Sequence, residues 1–153
     1  GPEYVRTVTE CYSEAIDAWL KGEFTDEKKD DWDRRLATVF NRGFWDGYYT
    51  GKRLGEWNDR YGSQATETKV YVGKCTNWFS RLSVGEFLIE AAEISAGDKL
   101  MVTGNATGCI TFALVDPRVD LESVETVPQG VAVSFRTPEK VRRGDKLYKI
   151  VPR

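Results

Sequence analysis

Histidine is absent from the 153 residues of the chain, and this absence excludes several kinds of catalytic site. Ser-His-Asp and Cys-His catalysis both need an imidazole that exchanges a proton near neutral pH. Histidine-based zinc and non-haem iron sites are excluded for the same reason. Carboxylate, lysine or tyrosine chemistry remains, but the sequence contains no recognisable nucleophile–base pair. We therefore predict that these residues include neither a catalytic group nor a metal site.

Cysteine is scarce, and apolar runs are short. The three cysteines, Cys11, Cys75 and Cys109, are far apart and form no Cys-x-x-Cys pair. Their odd number is typical of reduced thiols in a cytoplasmic protein. We predict that they are small buried apolar residues, although three thiolates can also hold part of an iron–sulfur cluster. No apolar run reaches the roughly 20 residues that span a bilayer, so we expect no membrane partner.

Net charge is also low, at −2, but basic residues are concentrated near the end of the sequence. Within residues 136–153 the basic residues greatly outnumber Glu139 and Asp145. Such a stretch either attracts phosphates or forms a solvated face. Arg142 and Arg143 are its candidate substrate-binding residues. The basic residues of the stretch are Arg136, Lys140, Arg142, Arg143, Lys146, Lys149 and Arg153.

The first 43 residues have the apolar spacing of two helices. Residues 3–20 form an amphipathic pattern, and a second helix is predicted from Thr25 or Asp26 to about Arg42, with Gly43 ending it. Acidic residues crowd the first half of the second helix, where they either favour the helix dipole or resemble a cation site. We interpret them as dipole partners: Asp26, Glu27, Asp30, Asp31 and Asp33.

Residues 44–67 are rich in glycine and aromatic residues and show no clear period, which is typical of a connector. Its rings and cations suit an interface with another domain, stacking on RNA bases, or a sugar or peptide groove. We leave these three interpretations open. The candidate substrate-binding residues in and beside it are Arg42, Phe44, Trp45, Tyr48, Tyr49 and Trp57.

From residue 68 onward the apolar residues alternate, which predicts β-strands. Frequent turn signals, with no helical pattern between them, favour a small closed antiparallel barrel of six or seven strands over residues 68–153. The whole chain is therefore predicted to be mainly β with an N-terminal helical segment, an α+β fold. The predicted strands are 68–79, 83–93, 98–104, 108–115, 122–127, 131–135 and 145–151.

One sequence segment occurs twice in this half. Ala96-Gly97-Asp98-Lys99-Leu100 returns as Arg143-Gly144-Asp145-Lys146-Leu147. Glycine provides a positive φ and aspartate caps a turn with its side chain, so each copy predicts a turn that leads into a strand. Neither copy has the lysine-serine ending or the following helix of a phosphate-binding loop.

The order of several motifs resembles the C-terminal region of the collagenase-like peptidase family. These motifs are Phe40-Asn41-Arg42-Gly43-Phe44, Tyr71-Val72-Gly73-Lys74, Gly104-Asn105-Ala106-Thr107-Gly108 and the segment from Val141 to Tyr148, together with the repeated turn. The resemblance implies a larger α/β-barrel catalytic domain upstream. It also implies a terminal β-barrel similar to the second domain of translation elongation factor Tu.

The same resemblance implies two related functions. The first is a non-catalytic accessory domain that positions a macromolecular substrate, protein or RNA, for the upstream catalytic domain. Residues 1–43 would then be the tail of that catalytic domain. The alternative is an RNA-binding barrel of a member that hydroxylates tRNA or rRNA. In such members a four-cysteine iron–sulfur cluster belongs to the upstream domain, so we expect no cofactor here. The parent protein is then a peptidase or an RNA hydroxylase.

Overall fold

The computed structural model describes residues 1–44 and 62–153. They form two compact units, one spanning Glu3–Glu67 with Arg153 and the other Thr68–Pro152. The first contains helices α1 (Pro2–Leu20) and α2 (Asp26–Thr38). Among the residues that the structure describes, neither helix has the length and apolar character that a membrane-spanning segment requires.

The two helices pack through a small apolar contact. Cys11 and Ala18 of α1 are buried together with Trp32 of α2. Beside this contact the Glu14 carboxylate accepts hydrogen bonds from Trp32 Nε1 (2.9 Å) and from the Arg35 guanidinium (2.6 Å). These hydrogen bonds hold the pKa of Glu14 below its usual value. The ion pair between Glu14 and Arg35 thus lies beside the apolar contact and links the two helices.

The second helix begins where the sequence predicts and ends four residues earlier. Thr25 caps it, because its hydroxyl accepts a hydrogen bond from the Lys28 backbone N–H (3.3 Å). The prediction that α2 continues to Arg42 is wrong, because Val39 is already extended. The Asn41 side-chain amide donates to the carbonyl oxygens of Ala37 (3.3 Å) and Val39 (2.9 Å), so a side chain satisfies groups that another helical turn would have used.

The second unit consists of ten strands. They are β1 (Glu67–Phe79), β2 (Val84–Ile89), β3 (Ile94–Ser95), β4 (Lys99–Gly104), β5 (Gly108–Ala113), β6 (Arg118–Val119), β7 (Glu122–Ser123), β8 (Thr126–Val127), β9 (Ala132–Arg136) and β10 (Lys146–Pro152). The longer strands confirm the predicted alternation. The predicted strand 122–127 is instead two short strands, and β3 and β6 were not predicted, because two residues are too few to show a period.

Eight strands form one sheet in the order β5-β4-β10-β1-β2-β9-β6-β7, while β3 pairs with β8. The registers that the structure describes are antiparallel. The inward side chains of both sheets meet in a single apolar core. Phe112 of β5 contacts Phe135 of β9, with ring centroids 5.9 Å apart, although four other strands separate β5 from β9 in the sheet order. The sheet therefore curls around its core, and its closure into a barrel stays a prediction.

Candidate functional site

The repeated Gly-Asp segment forms the same turn at both places. Gly97 and Gly144 each have a φ of 91°. The Asp98 N–H donates to the Ser95 carbonyl (3.0 Å), and the Asp145 N–H donates to the Arg142 carbonyl (3.0 Å). Each aspartate side chain also accepts a hydrogen bond, at 2.8 Å, from the backbone N–H three residues earlier. These are the bonds of a type II turn with glycine at its third residue.

The glycine N–H groups of both turns are used within the sheet. Gly97 donates to the Leu114 carbonyl, and Leu114 donates back to the Asp98 carbonyl, both at 2.8 Å. Gly144 donates to the Cys75 carbonyl (2.9 Å), and Cys75 donates back to the Asp145 carbonyl (2.8 Å). Because these donors are occupied, they do not converge on a phosphate. The prediction of turns that lead into strands is confirmed.

The two turns differ in what surrounds the aspartate. Asp98 forms an ion pair with Lys149 Nζ (3.0 Å) at a partly exposed position. Asp145 is only 7% exposed, and its Oδ2 accepts a second hydrogen bond from the Thr107 hydroxyl (2.6 Å). Thr107 Oγ1 in turn accepts a hydrogen bond from Arg142 Nη1 (2.9 Å). The buried carboxylate thus fixes the position of the Arg142 guanidinium through the threonine.

Next to this turn the second unit has an open polar groove of about 520 Å³. One wall is the distorted part of β1, where the pairing with β2 shifts between Cys75 and Asn77. The other wall is the segment before the turn, which buried Val141 anchors to the core. We call this feature the basic groove. Its lining residues are Thr76, Asn77, Trp78, Glu86, Lys140, Val141, Arg142 and Arg143.

The basic groove combines exposed cations with a half-buried indole ring. Lys140, Arg142 and Arg143 are exposed, and Trp78 packs partly against the core. Within residues 1–44 and 62–153, the side chains of Lys140 and Arg143 make no hydrogen bond or ion pair. Glu86 is the acidic residue of the lining, and its Oε1 accepts a hydrogen bond from the Thr76 hydroxyl (2.6 Å). This arrangement can hold an anionic segment against a ring.

The structure brings together only part of the predicted substrate-binding set. Arg142 and Arg143 both line the basic groove. Arg42 and Phe44 are exposed in the other unit, after α2. Trp45, Tyr48, Tyr49 and Trp57 lie outside the described residues. Sequence reasoning missed Trp78, because it lies in β1, far before the basic stretch in the sequence, and no local pattern joins the two.

The cysteines are buried thiols, as predicted. Cys11, Cys75 and Cys109 form no disulfide. Burial raises the pKa of the Cys75 thiol to about 11 and also raises the pKa of Cys11. In the part of the chain that the structure describes, no three metal-ligating side chains come together. The acidic residues at the start of α2 accordingly form no such group, and Asp31 forms an ion pair with Arg34.

These buried thiols should react very slowly in the folded protein. At pH 8 we expect a thiol-specific reagent such as DTNB to label less than about a tenth of the cysteines within minutes, because thiolate formation requires exposure. After denaturation in guanidinium chloride, three thiols per chain should react at once. Absorbance at 412 nm measures both. Rapid labelling of one thiol in the native chain would contradict its burial.

Two helices and a curled antiparallel sheet define an α+β protein. Residues 1–59 match Peptidase family U32. Over 149 residues the chain is 53% identical to a collagenase of Porphyromonas gingivalis strain W83, covering 97% of this chain and 36% of that protein. It is 28% identical to an uncharacterised protease of Methanocaldococcus jannaschii, covering 95% of this chain and 36% of that protein. These matches confirm the resemblance to the collagenase-like peptidase family.

A solved structure is also similar. The C-terminal domain of a protein described as a U32 peptidase, from Geobacillus thermoleovorans, matches 51% of this chain and 96% of its own chain. The TM-score is 0.49 and the sequence identity 9%. The chain spans little more than a third of the length of the Porphyromonas gingivalis W83 collagenase that it matches.

Proposed function

We propose that the chain is the non-catalytic C-terminal part of a larger collagenase-like protein and positions a macromolecular substrate for a catalytic domain upstream. Two observations support this. The relatives are nearly three times as long as the matched region. The sequence has no histidine, which removes the commonest general base from these residues. A cytoplasmic location and an iron–sulfur cluster in the upstream domain remain predictions.

The observation that carries the binding role is the pair of cations in the basic groove that have no counter-ion among the described residues. Lys140 and Arg143 are exposed on the segment that the buried Asp145 turn holds in place. A fixed cluster of like charges without partners favours an anionic ligand, since binding then neutralises repulsion. The groove is open along one side and shallow, so it suits part of a long chain better than an enclosed small molecule.

RNA binding is the second candidate function, and Trp78 is the observation that favours it. Its ring lies in the same groove as three cations. Rings stack on bases of any sequence, and cations contact phosphates. A polypeptide substrate would instead use an acidic stretch against the same cations. The two functions therefore share one groove and differ in how strongly binding depends on salt.

We also infer that the curled sheet closes into a barrel. The contact between Phe112 and Phe135 across the interior supports this, as does the common core of all the longer strands. Closure leaves no exposed sheet edge on which chains could aggregate.

Charge reversal in the groove tests the binding role. Fluorescence anisotropy would measure binding of labelled tRNA and of labelled gelatin to the chain and to the double variant Lys140→Glu, Arg143→Glu. We expect tRNA affinity to fall at least tenfold, and the slope of log K against log salt to shrink by about 2, one for each lost phosphate contact. Neither side chain has a hydrogen-bond or ion-pair partner in residues 1–44 and 62–153, so the fold should be unaffected.

The matched control is Lys29→Glu with Arg81→Glu, which makes the same change of charge at exposed positions outside the groove. Equal losses in both double variants would mean that binding follows net charge alone. Binding of gelatin but not tRNA would select the polypeptide function. If the unmodified chain binds neither, the binding role is wrong.

A further inference from the structure

Helix α1 carries a second apolar face besides the one that packs against α2. Its large side chains are between 58% and 78% exposed. Because successive helical residues turn by about 100°, they fall within one arc of about a quarter of the circumference, roughly 130° from the buried face around Cys11 and Ala18. That arc contains no charged residue. We call these residues the α1 stripe: Val5, Tyr12, Ile16, Trp19 and Leu20.

The described residues of the helical unit bury little apolar surface. In the part of the unit that the structure describes, the buried apolar cluster is Cys11, Ala18 and Trp32, with Ala15 and Leu36 partly buried against it. Helices of 19 and 13 residues derive little stability from helix propensity and need an apolar face covered by other parts of the protein. A contiguous exposed stripe of large apolar residues marks an interface.

We propose that the α1 stripe docks onto an apolar surface of the part of the full-length protein outside these 153 residues. This rests on the proposed function, in which the chain is part of a larger collagenase-like protein. The matched collagenases offer such an occupant, because about two thirds of their length lies outside the region that corresponds to this chain.

The position of the family match favours this occupant over a second copy of the chain. Peptidase family U32 matches residues 1–59, which include both helices, and the match stops before β1 begins at Glu67. Both helices therefore lie within the region that the family model describes. A helix from the family's shared part is expected to pack against that part. Because the arc carries no charge, the complementary surface must be apolar too.

Hydroxyl-radical footprinting read by mass spectrometry tests the proposal on two proteins, the 153-residue chain and the full-length protein. In the 153-residue chain Tyr12 and Trp19 should be oxidised rapidly. In the full-length protein their oxidation should be at least fivefold slower. Phe79, an exposed ring in the second unit, reports how far the radical dose differs between the samples. Equal oxidation of Tyr12 and Trp19 in both proteins would overturn the proposal.

A variant separates docking from general protection. In the full-length protein, Ile16→Glu places a charge in the middle of the α1 stripe and should restore rapid oxidation of Trp19. Lys21→Glu, an exposed position outside the arc, should leave Trp19 protected. If Trp19 instead becomes protected in the 153-residue chain as its concentration rises, with a dimer seen by sedimentation, the occupant is a second copy and the proposal is wrong.

Failure of this proposal is distinguishable from failure of the proposed function. Ligand binding by the Lys140 and Arg143 variants tests the binding role of the basic groove. The oxidation rates of Tyr12 and Trp19 test docking. Groove binding with an exposed α1 stripe in the full-length protein would reject docking alone. A protected α1 stripe with no ligand at the groove would reject the binding role alone.

Discussion

Replacing Gly73 by alanine is expected to destabilise the second unit strongly. Gly73 lies in β1 opposite Ile89 of β2, and a Cβ there would be 1.9 Å from the Leu88 carbonyl oxygen. The Leu88 carbonyl is backbone in the middle of paired strands, so it cannot rotate away from the added methyl group. The collision is relieved only if the two strands separate. The Val72 carbonyl would then lose the hydrogen bonds that it accepts from Glu90 and Ala91. We expect a loss of at least about 3 kcal/mol, the upper range for overpacking.

Urea denaturation followed by circular dichroism measures this loss. Gly108→Ala is the matched control, because the same methyl group is added where no atom lies within 4 Å. Gly108 has a φ of 76°, so its only cost is the left-handed backbone, about 1 kcal/mol. Gly73→Ala should therefore lower the stability far more than Gly108→Ala. The reverse order would mean that β1 and β2 are not as closely paired at Gly73 as described.

The sequence predicts this half of the fold well where local signals act alone. Alternation over β1 and β10 marks both strands, and the Gly-Asp pairs mark both turns. The burial of the cysteines follows from their composition and spacing. These features need no knowledge of distant residues, since glycine conformation, aspartate capping and side-chain period are properties of a few neighbouring positions.

The features that the sequence does not predict depend on contacts between distant positions. Trp78 joins the basic stretch only because Gly144 and Cys75 exchange hydrogen bonds across the sheet. The additional hydrogen bond that distinguishes Asp145 from Asp98 comes from Thr107, which lies in another hairpin. Helix α2 ends early because the Asn41 side chain captures its last carbonyl groups. Local sequence patterns do not distinguish Asp98 from Asp145, because the residues next to them in the sequence are the same.

Asp145→Ala and Asp98→Ala should therefore differ widely in effect although they remove the same group from the same turn. Asp145→Ala leaves a partly buried threonine hydroxyl and the Arg142 N–H without an acceptor, and we expect a loss of about 3 kcal/mol. Asp98→Ala removes a cap and a partly exposed ion pair, with an expected loss of about 1 kcal/mol. Thermal and urea denaturation measure both.

Asp145→Asn separates the hydrogen bonds from the charge. Both hydrogen bonds to Asp145 are accepted by Oδ2, so an amide oxygen at that position keeps them and should restore most of the stability lost in Asp145→Ala. Arg142 is held through Thr107, so Asp145→Ala should also weaken tRNA binding at the basic groove, whereas Asp98→Ala should not. Binding is compared at a temperature where all variants are folded. Equal stability losses at Asp98 and Asp145 would show that the buried network adds nothing to the turn.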